Sequence, residues 1–461
     1  MKAIATNCII VIKNPSKVIV SRLSKLLSYK DKSKEYQLKR LANRSWTKKT
    51  QQYQDLKKQV YSSLLYTTKE GHLIISSGFY DVIEQMGIDI EDRRTETGKD
   101  IPLPWIKKPY DLRDYQEEAV ELMLNNHRGI INFATGLGKT LLTIYAIKKI
   151  KKQALIVVPS TSIGDQFYEQ LVLAFGENKI GYYGDGSKKI KDITVGIAAS
   201  VNKNVEVFKE KELGLIIIDE THHTPADTFF NITKKLGNTG KIFGLTATDF
   251  RSDGKDIMIT AGCGPVLIRR DIRWGVENGW LAKPIFMMKN VDTGNFKQYK
   301  NDKLKNYKSH VLNCPPMKEE ILNDIRKFMT AGKMVMCLVS EVAHGNEISQ
   351  QLGIPFATGL DKKSQEYVDQ FNSKKISGLI GTTGMIGEGT DTRPVDVLIL
   401  ANFIASKGPV IQAVGRGLRL YPGKKCCIVV DYCPTGSDML SRHAKQRLKY
   451  YREITSKIKI I

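Results

Sequence analysis

An apolar run, Gly129-Ile130-Ile131-Asn132-Phe133, opens directly into Ala134-Thr135-Gly136-Leu137-Gly138-Lys139-Thr140. A helical pattern follows to Ile150. Strand, glycine-rich turn, Lys-Thr and helix in that order is the context of a phosphate-binding loop. Glycines let backbone N–H groups approach phosphate oxygens, and the helix N-terminus adds the positive end of its dipole. Thr135 to Thr140 are therefore the candidate cradle. Lys139 has the reach for β and γ phosphates, and Thr140 offers a hydroxyl to Mg²⁺. The strict pattern begins with glycine, and here Phe133 stands in that place.

A second feature completes the first. Leu213-Gly214-Leu215-Ile216-Ile217-Ile218 reads as a buried strand, and it ends in Asp219-Glu220-Thr221-His222. Open α/β sheets place ligands at the carboxyl ends of their strands. Asp219 is the candidate Mg²⁺ ligand, and Glu220 the group that orients and deprotonates an attacking water. His222 and His223 are adjacent, which suits one metal ion poorly, so they read as polar links.

Short apolar runs alternate with helical patterns from about residue 109 onward, the mark of a parallel α/β sheet. Met334–Val339 and Leu379–Thr383 read as strands of a second such unit, with Glu341–Leu352 as a helix. Before residue 104 the pattern differs. Val18, Ile19, Leu23, Leu26 and Leu27 recur at helical spacing after Pro15 and Ser16. Leu56, Val60 and Leu64 give a second helical stripe, and Ser77 to Gly87 a third short helix. Pro102, Pro104 and Pro109 then break the chain.

Charge divides the same way. Lys plus Arg number 71 and Asp plus Glu 48, a net of +23. Residues 1–69 carry 16 basic and 3 acidic side chains, a net of +13, and residues 442–461 carry 7 and 1, a net of +6. The middle keeps only +4. Such an excess points to a polyanion, either nucleic acid or an anionic membrane surface. Trp46 lies among Arg44, Lys48 and Lys49, so phosphate neutralisation and base stacking are both available there. We read Arg44, Trp46 and Lys48 as a nucleic-acid grip rather than a solvated tail.

Other classes are excluded on composition. Seven scattered cysteines are an odd count and do not make a secreted disulfide scaffold. Cys426, Cys427 and Cys433 lack paired zinc-ligand spacing. No run of 18 apolar residues exists, so no membrane-spanning helix is expected and no membrane partner. The apolar opening to Ile12 is interrupted by Thr6 and Asn7 and reads as a strand, not a signal peptide.

With these motifs in order the chain resembles a superfamily 2 helicase of the DExH type, over about residues 109–435. Leu112-Arg113-Asp114-Tyr115-Gln116 is similar to the segment that opens these motors, which implies that Gln116, with Arg113, contacts adenine. Ala154–Ser160 resembles the family's strand-to-loop element on the nucleic-acid backbone, implying contacts from Pro159, Ser160 and Thr161. Thr246-Ala247-Thr248 resembles the element coupling hydrolysis to strand movement. Thr382 to Asp391 looks like the fifth motif, which implies DNA contacts from Thr382 and Thr383 and nucleotide contacts from Gly389 and Asp391. Gln412-Ala413-Val414-Gly415-Arg416-Gly417-Leu418-Arg419 looks like the QxxGRxxR motif. Arg416 and Arg419 are three apart and are expected on one helix face, where guanidinium forks suit a γ-phosphate. Arg419 is the first choice of arginine finger.

The resemblance implies the fold class: α/β, with two tandem RecA-like parallel-sheet lobes preceded by a small basic α+β accessory domain. The expected divisions are 1–104, 105–284 and 285–461. It implies ATP and Mg²⁺, with Lys139, Asp219, Glu220, Gln412, Arg416 and Arg419 at the chemistry. The closer likeness is to XPB-like and UvsW-type branch-migration helicases. The Arg-Ser-Asp at 251–253 departs from the Arg-Glu-Asp of XPB-like proteins at Ser252. A 3′-to-5′ DNA helicase or translocase remodelling forks and Holliday junctions in replication, recombination or repair is therefore expected. Other replication or recombination proteins are its expected partners, in the cytoplasm, at the nucleoid or in a phage-infected bacterial cell. The alternatives are an RNA helicase of the same type, a nucleic-acid-binding protein with an inactive ATP site, and a motor that requires a partner.

Overall fold

The computed structural model of the chain describes residues 1–42, 50–221, 226–247, 255–294, 299, 302–359, 361, 363–384 and 392–461. Arg44, Trp46, Lys48, His222, His223, Ser252, Gly389 and Asp391 lie outside the described residues. The chain forms two compact units. One comprises Met1–Phe133 and Gly138–Arg269, the other Ala134–Leu137 and Arg270–Ile461. The units part at Arg269 and Arg270, where the sequence reading sets divisions at 104 and 284.

The first unit begins with a five-stranded sheet. Its strands run in the order Tyr66–Thr67, Leu73–Ser76, Ile9–Ile12, Lys2–Ala5 and Asp89–Asp92. The apolar opening is thus two antiparallel strands, turned where Thr6 N–H donates to Ile9 O at 2.8 Å. Ser16 caps the helix Lys17–Leu26 by accepting from Ile19 N–H. Leu23, Leu27, Leu73, Ile75 and Ile83 close this small core. The second stripe is a helix only over Gln51–Gln59. Tyr61–Ser63 leaves it to pair with Ser28–Lys30, so Val60 is the cap and Leu64 lies beyond. Sheet pairing there overrides helical spacing.

This small sheet is fused to the sheet that follows. Arg128 starts the P-loop strand and is buried, and its guanidinium donates to Asn7 O at 2.6 Å, Gly237 O at 3.1 Å and Gly262 O. Ser76 Oγ donates to Ala261 O. A Cβ on Gly78 would collide with the backbone oxygen of Thr260, so only glycine permits that approach. Lys255 bridges Asp31 and Asp227 at 3.1 Å each.

The main sheet of the unit has eight strands. Their order is Ser187–Lys188, Ile180–Gly184, Ile193–Ile197, Ala154–Val158, Leu215–Ile218, Lys241–Thr246, Arg128–Phe133 and Val266–Arg270. From Ile180–Gly184 through Arg128–Phe133 the pairing is parallel. Every residue of the four strands from Ala154–Val158 to Arg128–Phe133 is buried, so both faces are covered.

The second unit repeats the architecture with seven strands, all paired in parallel. The order is Phe356–Ala357, Gly378–Thr382, Val335–Val339, Val397–Ala401, Cys426–Pro434, Lys283–Val291 and Ile458–Ile460. A 17-residue helix, Asp438–Ile454, packs on it. Its anchor is Arg447, 0% exposed, whose fork meets Asp431 at 2.7 and 2.9 Å and Tyr432 O at 3.0 Å. Tyr451 donates to the same carboxylate at 2.7 Å and stacks on Phe286. Each oxygen of the buried carboxylate thereby has a donor, the condition under which a buried pair is tolerated.

Candidate active site

The P-loop strand and the strand before Asp219 are separated in the sheet by Lys241–Thr246. All three are parallel, so their carboxyl ends open on one edge of the sheet. Phe133, Asp219 and Thr246 end up there together. This is the position at which parallel α/β sheets bind ligands.

Helix Lys139–Ile150 begins at Gly138, which caps it in the left-handed region at φ 79°. Gly136 is also left-handed at φ 93°. These are the glycines the turn requires. Phe133 needs no such freedom. It is the last residue of the strand, fully buried, with its ring packed edge-on against Tyr115. Its carbonyl accepts from Lys139 Nζ at 3.1 Å, which folds the lysine back over the turn. The departure from the strict glycine pattern is thus accommodated by an extended backbone.

Lys139 Nζ also lies 3.6 Å from Glu220 Oε1. The side chains are 11% and 15% exposed, so the pair is weakly screened by solvent. Glu220 has φ 46°, a conformation that costs a non-glycine residue about 1–3 kcal/mol and clusters at functional sites. Asp219 beside it is buried, and its Oδ1 has no hydrogen-bond partner among the described residues. Burial first, and then the Glu220 charge, push the Asp219 carboxyl up to about 7, with Lys139 pulling the other way.

An orphaned, buried carboxylate oxygen beside a Lys-Thr turn is what a hard divalent cation would satisfy. Thr140 and Asp219 supply oxygen donors only, the chemistry Mg²⁺ takes. The residues present therefore fit the ion.

The raised carboxyl gives a pH prediction. Across the window from 3.8 to about 7 the native Asp219 holds a proton that the unfolded chain has released. The native state then binds more protons, so this group's contribution is present at low pH and lost as pH rises through that window. Denaturant midpoints of metal-free protein compared between pH 4 and 7 are expected to diverge from those of Asp219→Asn, which lacks this dependence. Parallel curves would remove the perturbed carboxyl.

Gln116 is buried, with Oε1 accepting from Arg113 N–H at 2.9 Å and Nε2 donating to Gly138 O at 3.3 Å. It holds the P-loop glycine, a positioning role the sequence reading missed. The signal was present: a Gln three residues after the helix-capping position reaches back to that backbone. In the same unit Ser160 caps helix Thr161–Phe175 without a side-chain bond. Its buried Oγ has no partner among the described residues. Pro159 is half-buried and Thr161 exposed.

In the second unit the helix bearing Gln412 spans Lys407–Gly417. Arg416 is on it, whereas Arg419 lies beyond the Leu418 cap, with its N–H donating to Arg416 O at 3.2 Å. The expected common helix face is therefore corrected: the helix ends first, and a turn carries Arg419. Thr383 Oγ1 donates to Val339 O at 3.2 Å and accepts from Asn402 at 3.1 Å. Thr382 ends the neighbouring strand Gly378–Thr382.

A glycine-rich turn holding a lysine against paired strand-end carboxylates defines a P-loop nucleoside triphosphatase, and the repeated parallel sheet makes it a two-lobe one. Residues 109–251 match the family "Type III restriction enzyme, res subunit". The chain is 30% identical over 400 residues to the DNA 3'-5' translocase XPB2 of Sulfurisphaera tokodaii, covering 78% of this chain and 89% of that one. It is 26% identical over 372 residues to the putative DNA 3'-5' helicase Rad25 of Halobacterium salinarum, of which it spans only 60%. Among solved structures, the DNA-bound Type ISP restriction-modification enzyme LlaBIII superposes with TM-score 0.59 at 17% identity. That match covers 86% of this chain and 34% of that one. The chain belongs to the XPB-type helicases of superfamily 2, and it is an ATP-dependent enzyme.

Proposed function

We propose that the protein is a DNA motor that moves 3′ to 5′ and remodels branched DNA such as forks and four-way junctions. The observation that carries this reading is the cluster of Lys139, Glu220 and the unsatisfied Asp219 at one strand edge, in a chain whose relatives are named for 3'-5' action on DNA. We assign residues 1–104 to a basic accessory domain, 105–269 to the ATP-binding lobe and 270–461 to the second lobe.

In this reading Thr135 to Gly138 cradle the phosphates with backbone N–H groups, and Lys139 offsets the charge on the β and γ groups. Thr140 and Asp219 hold Mg²⁺, which when bound neutralises charge on the phosphate oxygens. Glu220 takes the proton of the attacking water. Gln412, Arg416 and Arg419 are assigned to the γ-phosphate by their motif, as are Arg113, Gln116, Gly389 and Asp391 to the nucleotide. Pro159, Ser160, Thr161, Thr382 and Thr383 are assigned to the DNA backbone. Thr383 contributes through its backbone, because its hydroxyl is already engaged within the unit.

A substrate panel tests the reading. ATP turnover is measured with tailed duplex, fork, four-way junction, D-loop, single strand and RNA of matched sequence. Branched DNA is expected to stimulate most. Stimulation by RNA alone would make the protein an RNA motor. No turnover with any nucleic acid and Mg²⁺ would overturn the enzyme assignment of these residues.

A further inference from the structure

We infer that the outward face of helix Asp438–Ile454 is a second phosphate-backbone contact, shaped for a stretch of duplex DNA. The inference rests on the DNA-motor reading and deepens it by naming a surface outside the ATP site. Four basic residues of this helix, Arg442, Lys445, Lys449 and Arg452, are exposed. They are spaced 3, 4 and 3 apart. At about 100° per residue they fall within an arc of about 80° on one side. Leu440, Ala444, Arg447, Tyr451 and Ile454 are buried and fall on the opposite side. The sequence gives a net of +6 to residues 442–461, and the structure divides it. Arg447 is spent internally on Asp431, while Lys457 and Lys459 lie exposed just beyond the helix. The single acidic residue of the stretch, Glu453, is paired to Lys407 at 2.6 Å, so it does not neutralise the stripe.

Geometry then selects the partner. Ten residues of helix span about 15 Å. One DNA strand presents a phosphate about every 3.4 Å along the duplex axis, so the stripe faces about four phosphates. The helix is also held rigidly. The Arg447 fork, the Tyr451 hydroxyl and the Tyr450 hydroxyl on Ala405 O at 3.3 Å fix its rotation, so the charges are pre-arranged before DNA arrives. A membrane is the other polyanion. A helix that binds in a membrane surface inserts an apolar face. Here that face is buried against its own sheet, and the exposed residues flanking the cations, Gln446 and Glu453, are polar.

The test uses the full chain with Arg442→Gln, Lys445→Gln, Lys449→Gln and Arg452→Gln combined. Binding to a tailed duplex is followed by fluorescence anisotropy from 50 to 200 mM salt. Each lost phosphate contact lowers the slope of log affinity against log salt by about 0.9, so the quadruple variant is expected to lose about 3.6. Helicity and ATP turnover without nucleic acid should stay at parental values, and the doubly conservative Arg442→Lys, Arg452→Lys variant should keep the parental slope. If the quadruple variant loses its helical signal, the two half-stripe pairs are measured instead, each expected to lose about 1.8. An unchanged slope in a folded variant whose parent shows DNA-stimulated turnover overturns this inference and leaves the motor reading intact. A parent that neither binds DNA nor responds to it overturns both. Capture of the parent, but not the variant, by phosphatidylserine–phosphatidylcholine vesicles with no change in DNA slope would assign the stripe to membranes instead.

Discussion

Lys139→Ala is expected to cut ATP turnover by about 10³-fold, with or without DNA, the scale of loss when one preorganised charge is removed from a developing oxyanion. The lysine sits where two demands meet. Its Nζ is pinned to the Phe133 carbonyl at 3.1 Å, so its reach over the turn is set before ATP arrives. It is also a cation beside the carboxylate pair, 3.6 Å from Glu220. Without it, Asp219 loses the charge that holds its carboxyl down, and the acid shifts further toward its neutral form. The variant should therefore lose metal-dependent nucleotide binding as well as turnover, most sharply below neutral pH. Lys139→Arg is not a rescue, because a planar fork cannot take the place of a compact ammonium in this turn. Steady-state turnover with fluorescent-nucleotide binding measures both effects. Turnover within threefold of the parent would remove Lys139 from the site.

The engine was legible in the sequence for a physical reason. Strands buried on both faces read as continuous apolar runs, and Leu215–Ile218 or Val397–Ala401 leave little other choice. Asp219 and Glu220 follow such a run directly and Lys139 follows one after the turn at residues 134–138, so the strand ends that carry these candidates were legible. The small N-terminal sheet was legible only in its apolar opening, which reads as a strand and forms two. Its strands are 2–4 residues long, and Tyr66–Thr67 and Asp89–Asp92 are largely exposed, too short to show alternation against helical noise. Contacts across sequence were equally hidden. Nothing near Arg128 announces that it will hold the carbonyls of Asn7, Gly237 and Gly262. That latch matters for how the accessory region is tested. Removing residues 1–104 would strip a buried guanidinium of an acceptor and expose Ala261, so a truncation would injure the lobe along with the grip. Substitution of Arg44, Trp46 and Lys48 separates the two.

Glu220→Gln is the sharper probe of chemistry, because it changes charge while keeping shape. A positioned general base contributes about 10²–10⁴ in rate, and a loss of that size in kcat is expected. KM for ATP should not rise. The glutamate does not lie in the phosphate cradle, and its removal relieves Asp219 of the neighbouring charge that helps to raise it. The carboxyl of Asp219 then ionises at lower pH, and the site holds its metal and nucleotide over a wider acid range. Loss of kcat with retained or tighter nucleotide binding is the signature of a group acting in the transition state alone. A matched rise in KM would instead make Glu220 a binding residue, and parental turnover would dismiss it as the base. The backbone offers a separate check. Glu220 sits at φ 46°, where glycine is at ease and other residues are strained. Glu220→Gly should therefore lose the same rate as the glutamine variant while relieving that strain, raising rather than lowering stability. Such an opposition of rate and stability is what a conformation maintained for chemistry produces.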